Sequence, residues 1–146
     1  MNPTARRIKV CLIGAGQWGR QHARVFSQRP DVTLCAVAGR TLEKTQTRAA
    51  EFGLRAYTNV VEMLEREKPD LVSLSLPNLE HFEATMQVIQ SGYPLLVEKP
   101  LAFDLQEADQ MLRGRKTRPL LCHQLQSPIR KTPPARSRRH RKRSAR

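Results

Sequence analysis

A short glycine-rich motif near the N-terminus has the most specific chemistry in this sequence. Gly14-Ala15-Gly16-Gln17-Trp18-Gly19 directly follows the apolar run Ile8–Ile13 and opens an amphipathic segment. In a strand-turn-helix unit, Gly14 permits a tight turn, Gly16 lets a pyrophosphate approach the backbone, and Gly19 lets the helix pack close to the strand. The helix N-terminus then faces the phosphates. The motif predicts a dinucleotide-binding turn, and the alternative is a purely structural glycine-rich turn.

The residues after the second predicted strand bear on which dinucleotide could bind. NAD-specific sites place an acidic residue about 20 positions beyond the glycines, where it bonds the ribose 2′-hydroxyl. Here that place holds Gly39-Arg40-Thr41, without a carboxylate. Arg40 and the Thr41 hydroxyl could hold a 2′-phosphate through charge-assisted hydrogen bonds, which favours NADP over NAD. Alternatively, Arg40 is a solvated loop residue and Thr41 only caps the following helix.

Two more segments follow strand-like runs, and their residue types could contact a ligand. Pro77-Asn78-Leu79-Glu80-His81 follows the fourth predicted strand, and Glu98-Lys99-Pro100 follows the fifth. Open α/β sheets bind their ligands at the carboxyl ends of the strands, so both segments should lie near the glycine-rich turn. For His81 there is an alternative, since a histidine in the first turn of a helix often only bonds nearby backbone.

These motifs require a fold that brings strand ends together, and the apolar pattern indicates one. Short β-rich runs alternate with amphipathic stretches that begin with capping residues such as Thr41, Asn59 and Asp104. Strands that form continuous apolar runs indicate a parallel sheet covered on both faces. We therefore expect an α/β fold with a doubly wound parallel sheet, the Rossmann arrangement. The predicted strands are 8–13, 33–38, 55–58, 71–76 and 95–97, and the predicted helices are 17–27, 42–52, 59–67, 79–91 and 104–112.

Taken together, the motifs resemble the glucose-fructose oxidoreductase / inositol 2-dehydrogenase / rhizopine-catabolism family, written Gfo/Idh/MocA. The matching features are the glycine motif with His22 just beyond it, the Pro77 to His81 spacing, and Glu98-Lys99-Pro100 followed by Leu101-Ala102, in order over residues 8–112. The resemblance implies an N-terminal Rossmann domain that binds NAD or NADP, with Lys99 near the nicotinamide and the substrate hydroxyl. There an ammonium can donate to the reacting oxygen and stabilise negative charge. The alternative for Lys99 is an exposed lysine beside a turn-forming proline.

The resemblance also bears on Trp18, because in the family that loop position lies against the cofactor. A packing role for Trp18 is equally open at this point. The predicted catalytic residue is Lys99, and no metal ligands are predicted. The predicted cofactor-binding residues are Gly14, Gly16, Gln17, Trp18, Gly19, Arg40, Thr41, Pro77, Asn78, His81 and Glu98.

The character of the chain changes after Leu112. Residues 1–112 contain 13 basic and 13 acidic residues, whereas residues 113–146 contain the other 13 basic residues and no acid. A segment so charged, with few large apolar residues, is expected to be disordered. The predicted domains are therefore a Rossmann domain over residues 1–112 and a basic tail over residues 113–146. Since the family's second, substrate-binding domain has no counterpart here, we interpret the tail as a frameshift or truncation product and expect little activity from the chain alone.

Three classes of function stay open from the sequence. The first is an oxidoreductase acting on a sugar, polyol or related hydroxy compound, and the second is a non-catalytic NAD(P)-binding module. The third, nucleic-acid binding, would use phosphate contacts from the basic tail, which lacks aromatic residues for base stacking and is therefore the least favoured.

The cellular setting is predicted from the cysteines and the lengths of the apolar runs. Cys11, Cys35 and Cys122 have no metal-ligand spacing and form an odd set, which fits a reducing compartment. No apolar run approaches the roughly 18 residues of a membrane span. We expect a cytoplasmic protein whose partner is a nicotinamide dinucleotide, with a small-molecule substrate only if a second domain is supplied.

Overall fold

Strands and helices alternate along the described chain. The computed structural model describes residues 6–114 and the backbone of residues 120–123. None of the helices in these residues is both long enough and apolar enough to cross a bilayer. The strands are β1 (Ile8–Ile13), β2 (Val32–Ala38), β3 (Arg55–Tyr57), β4 (Leu71–Leu74), β5 (Leu95–Glu98) and β6 (Leu120–His123). The α-helices are α1 (Gln17–Ser27), α2 (Leu42–Phe52), α3 (Val60–Glu67), α4 (His81–Gln90) and α5 (Leu105–Gly114), and a 3-10 turn covers Asn78–Glu80.

All neighbouring strands of the sheet are parallel, and their order is β3-β2-β1-β4-β5-β6. The chain therefore starts in the middle of the sheet, builds outward to β3, crosses back to place β4 beside β1, and then builds to the other edge. This is the strand order of a doubly wound Rossmann fold, which confirms the predicted fold class. The direction of winding reverses between β1 and β4.

The central strands are buried on both faces, and successive side chains alternate between two apolar clusters. One cluster lies on the side of α1 and α2, and the other on the side of α3 and α4. The first contains Val10, Leu12, Ala23, Val32, Val37 and Ala49. The second contains Cys11, Ile13, Ala36, Ala38, Met63, Leu64, Val72, Leu74, Ala84, Val88, Leu95 and Val97.

Two helices begin at capping residues that the sequence predicts. Asn59 Oδ1 accepts a hydrogen bond of 3.0 Å from the N–H of Glu62 at the start of α3. Asp104 Oδ1 accepts one of 2.8 Å from the N–H of Glu107 at the start of α5. The Glu107 carboxylate reaches back to the N–H of Phe103 at 2.9 Å, which completes a reciprocal capping arrangement.

The sheet extends further than the sequence predicts. Helix α5 ends at Gly114, and Leu120–His123 forms a strand beside β5, inside the segment for which disorder is expected from residue 113. Pairing with β6 gives hydrogen-bond partners to backbone groups of β5 that would otherwise stay at an open edge. Composition misses this strand because its four residues lie within a segment that is strongly basic as a whole. The predicted tail beyond residue 123 lies outside the described residues.

A buried carboxylate joins α3 to two strands. Glu67, the last residue of α3, is 2% exposed. The Arg55 guanidinium donates to both carboxylate oxygens, the Tyr57 hydroxyl donates to Oε1 at 2.6 Å, and Lys9 Nζ lies 3.7 Å from Oε2. Burial opposes ionisation of Glu67, but the hydrogen bonds from Arg55 and Tyr57 outweigh it and hold the pKa of this carboxyl below its ordinary value. The charged carboxylate therefore ties α3 to β1 and β3.

Candidate dinucleotide-binding site

The carboxyl ends of β1, β2 and β4 meet at one edge of the sheet. The N–H of Gly14 donates to the carbonyl oxygen of Ala38 at 2.8 Å, and the N–H of Ser75 donates to that of Ile13 at 2.8 Å. These bonds keep together the loops that follow the three strands. Because α1 and α4 pack on opposite faces of the sheet, the loops after β1 and β4 diverge. Open α/β sheets bind ligands in the crevice that such a divergence creates.

The three glycines of the motif stand in different surroundings. Gly14 has a φ of 118°, and a Cβ there would lie 2.5 Å from the carbonyl oxygen of Ser75. A Cβ on Gly19 would lie 1.8 Å from the carbonyl oxygen of Gly14, so α1 packs directly on the turn. A Cβ on Gly16 would meet no atom within 4 Å in the part of the chain that the structure describes. Folding therefore requires glycine at positions 14 and 19, whereas position 16 faces open space that a ligand can enter.

The N-terminus of α1 borders the same space. Gly16 is the N-cap and offers no side chain to the first N–H groups of the helix, so they are available to an anion. Gln17 and Trp18 are exposed, and Trp18 keeps 56% of its surface in solvent, which excludes a core packing role in this structure. Arg48 of α2 donates from Nε to the carbonyl oxygen of Ala15 at 3.3 Å, which supports the turn from its other side.

A cleft of about 310 Å³ lies beyond the ends of β1, β2 and β4. Ile13, Ala38 and Leu76 give it apolar surface, whereas Arg40 and Glu80 bring charge to it. Ligand sites commonly combine apolar walls with a few polar groups in this way. Its position beyond β2 is the place where Rossmann folds hold the adenosine ribose.

Arg40 lines this cleft and Thr41 follows it in the chain, but Arg40 already has a partner. Its Nη1 donates to Glu80 Oε1 at 2.7 Å, and the Arg40 side chain is 81% exposed. Thr41 is the N-cap of α2, yet its hydroxyl makes no capping hydrogen bond. Arg40 is therefore not a purely solvated loop residue, and the Thr41 hydroxyl is not engaged in capping.

Glu98 and Lys99, at the end of β5, face different environments. Lys99 is exposed, and the peptide bond that joins it to Pro100 is cis. The Glu98 carboxylate instead contacts the buried ring of His22, with 2.9 Å between Nε2 and Oε1, while Nδ1 of the same ring lies 2.7 Å from Ser73 Oγ. With its proton on Nε2, the ring donates to Glu98 and accepts from Ser73. Through this contact, Glu98 anchors the strand end that carries Lys99.

His81 is buried, and each nitrogen of its ring lies within hydrogen-bond distance of a backbone carbonyl oxygen. Nε2 lies 2.6 Å from the carbonyl oxygen of Leu76, and Nδ1 lies 2.9 Å from that of Pro100. A neutral imidazole has one N–H and donates to one of these two oxygens. The ring therefore lies between the loop after β4 and the loop after β5, as in the alternative interpretation from the sequence. Pro77 is exposed in the first of these loops, and Asn78 begins its 3-10 turn.

Several residues that shape the site carry no recognised motif. A Cβ on Gly39 would lie 2.5 Å from Thr45 Oγ1, so glycine is needed there for α2 to pack against the end of β2. Ser75 lies against Gly14, and Glu80 pairs with Arg40. The roles of Gly39, Ser75 and Glu80 depend on contacts between distant segments, which spacing along the chain does not reveal.

The fourth strand is shorter than the sequence predicts. The prediction extends to residue 76, but β4 ends at Leu74 and the next two residues start the loop.

We expect a His22→Leu substitution to lower the free energy of unfolding by about 1–3 kcal/mol, because it leaves the Ser73 hydroxyl and the Glu98 carboxylate without their buried partner. Urea unfolding followed by circular dichroism measures this change. The matched control is Gln21→Leu, which adds the same side chain to an exposed position of α1. An effect of His22→Leu no larger than that of the control would contradict the anchoring role.

The fold and the glycine turn define a dinucleotide-binding Rossmann domain. Comparison with known families assigns this domain to a family. A family model described as "Oxidoreductase family, NAD-binding Rossmann fold" (GFO_IDH_MocA) matches residues 8–124. The chain belongs to the Gfo/Idh/MocA family of oxidoreductases, as the sequence motifs predict.

Three comparisons illustrate this membership. The chain is 34% identical over 110 residues to D-glucoside 3-dehydrogenase of Escherichia coli, a match that covers 74% of this chain and 31% of that protein. It is 34% identical over 101 residues to inositol 2-dehydrogenase 4 of Saccharopolyspora erythraea, covering 68% and 30%. The crystal structure of GenD2 from gentamicin A biosynthesis, in complex with NAD, superposes with a TM-score of 0.71 at 32% identity, covering 75% and 32%. The chain thus spans about a third of the length of these relatives.

Proposed function

We propose that this chain is the nicotinamide-dinucleotide-binding part of an oxidoreductase that acts on a sugar, a polyol or a related hydroxy compound. The proposal depends on a difference among the three glycines of the motif. Close contacts within the protein explain why positions 14 and 19 need glycine, but no such contact explains glycine at position 16 among the described residues. A ligand pyrophosphate at the open position accounts for the third glycine. The names of the two dehydrogenase relatives support the substrate class.

The proposal gives Lys99 the catalytic role. A bound nicotinamide supplies the acceptor or donor of hydride. The Lys99 ammonium, exposed at the end of β5, donates a hydrogen bond to the reacting oxygen of the substrate and stabilises the charge that develops there. His22 and Glu98 hold this strand end in place, and His81 holds the two adjoining loops together. The free thiols of Cys11 and Cys35 suit the cytoplasmic location that we propose.

The proposal also assigns the cofactor preference. Arg40 and Thr41 lie beyond β2, where a 2′-phosphate of NADP would meet a guanidinium and a hydroxyl that is not used in capping. Gln17 and Trp18 on the first turn of α1, with Pro77 and Asn78 in the loop after β4, flank the dinucleotide. NADP is therefore preferred to NAD.

A Gly16→Val variant tests the cofactor site. In the full chain, we expect it to lower the melting temperature only slightly, because a Cβ at position 16 meets no atom of the described residues within 4 Å and the change affects only the N-cap of α1. The affinity for NADH and NADPH should fall about tenfold or more, since the side chain occupies the path of the pyrophosphate. Calorimetry and the fluorescence of the exposed Trp18 both report the binding.

Gly92→Ala is the matched control, because Gly92 has a φ of 77° and open space around it at the end of α4. It should lower stability by about 1 kcal/mol through backbone strain while leaving the affinity of the folded protein unchanged. Failure of the folded wild type to bind either dinucleotide would overturn the proposed function, and so would equal affinities for the wild type and the Gly16→Val variant.

A further inference from the structure

The ion pair between Arg40 and Glu80 joins two segments that are 40 positions apart in sequence. Arg40 follows β2, and Glu80 ends the 3-10 turn before α4. Both side chains line the cleft beyond the strand ends, and the N–O distance of 2.7 Å allows a charge-assisted hydrogen bond. The pair therefore lies where the adenosine end of a dinucleotide would enter.

The wall of the cleft that faces Arg40 is acidic. Glu83, one helical turn beyond Glu80, also lines the cleft and is exposed. Two glutamates and one arginine thus line the same cleft. A 2′-phosphate that binds Arg40 must displace Glu80 or share the guanidinium with it, next to negative charge of the same sign. A ribose 2′-hydroxyl carries no charge and does not meet this repulsion.

We propose that Glu80 is a specificity-determining residue that limits the preference for NADP by occupying Arg40. The inference rests on the proposed function and deepens it. The sequence around Gly39-Arg40-Thr41 lacks the carboxylate that NAD-specific sites place after the second strand. Glu80 brings a carboxylate to the same place from the loop after β4, so the chain accepts both dinucleotides.

Glu80→Gln in the full chain tests the inference, because it removes the charge and keeps the shape of the side chain. We expect the affinity for NADPH to rise about three- to tenfold and the affinity for NADH to stay the same. The gain should shrink as ionic strength rises, since the pair is at the surface. Calorimetric titration of NADPH and NADH at two salt concentrations measures both effects.

Glu83→Gln is the matched control, because it removes an equal charge from the same wall without removing the partner of Arg40. Its effect on NADPH should be smaller. When Arg40→Gln is already present, Glu80→Gln should raise the affinity for NADPH no more than Glu83→Gln does. An unchanged NADPH to NADH ratio in Glu80→Gln overturns the inference, as do equal effects of the two glutamate variants. Absence of binding to both dinucleotides by the folded wild type overturns the proposed function itself, and this outcome is distinct from an unchanged ratio.

Discussion

A Gly19→Ala variant should lose about 3 kcal/mol or more of its free energy of unfolding, a large fraction of the ~5–15 kcal/mol of an ordinary domain. The added Cβ would lie 1.8 Å from the carbonyl oxygen of Gly14, a distance below 3.0 Å that real Cβ atoms essentially never show. The backbone fixes the position of the Cβ, and its partner is a backbone oxygen, so no side-chain rotation relieves the contact. Either α1 or the turn after β1 must move, and both are packed on the sheet. Thermal unfolding followed by circular dichroism measures the loss.

Gly16→Ala is the matched control for this prediction, because it adds the same methyl group three positions earlier in the same motif. Its Cβ meets no atom of the described residues within 4 Å, and the backbone there, with a φ of −74°, is accessible to alanine. The control should therefore stay close to the wild type in melting temperature, apart from the small cost of alanine at an N-cap. Equal stabilities of the two variants would contradict the close packing of α1 on the turn. If Gly19→Ala yields no soluble protein, expression of Gly16→Ala under the same conditions attributes the failure to that contact.

The second large effect is expected at Glu67, where Glu67→Ala should lower the free energy of unfolding by about 2–4 kcal/mol. The carboxylate is 2% exposed and accepts hydrogen bonds from Arg55 and Tyr57. Its removal leaves a void under α3 and takes the acceptor from the half-buried Tyr57 hydroxyl. The Arg55 side chain, 64% exposed, returns to water at little cost. Urea unfolding at pH 7 measures the difference.

Glu62→Ala is the matched control for Glu67→Ala, since Glu62 lies on the same helix and pairs with Arg66 at the surface. Exposed pairs four residues apart contribute only about 0.3–0.5 kcal/mol. The control should therefore be nearly as stable as the wild type. Comparable losses in the two glutamate variants would show that burial of the Glu67 carboxylate contributes nothing particular to the fold.

The dependence of stability on pH follows from the same carboxylate. Because the pKa of Glu67 in the folded state lies below its ordinary value, its ionisation stabilises the fold above the unfolded pKa of about 4.3. This contribution is lost as the pH falls through the lowered pKa. The wild type should therefore lose more stability than Glu67→Ala between pH 7 and pH 3. Asp70, whose pKa is lowered chiefly by the hydrogen bond from the Lys9 N–H, contributes to the slope that remains.

The sequence determined those features that depend on neighbouring residues along the chain. The alternation of apolar runs and capped amphipathic stretches predicted the parallel sheet, because strand burial and helix capping are set by periods of a few residues. The glycine motif predicted a strand-turn-helix unit for the same reason. The family resemblance also rested on short motifs, and the match over residues 8–124 confirms it.

Only the tertiary structure decided which side chains meet at the strand ends. The His22 ring contacts Glu98 from 76 positions away and Ser73 from 51 positions away, and both nitrogens of His81 face backbone carbonyl oxygens. Glu80 pairs with Arg40, and β6, which lies in the segment that composition marks as disordered, pairs with β5. These contacts depend on the order of the strands in the sheet and on the conformation of each loop. Residue spacing along the chain predicts neither of these. The sequence therefore identified the residue types of the site, and the fold decided which of them lie together at the strand ends and which are exposed there.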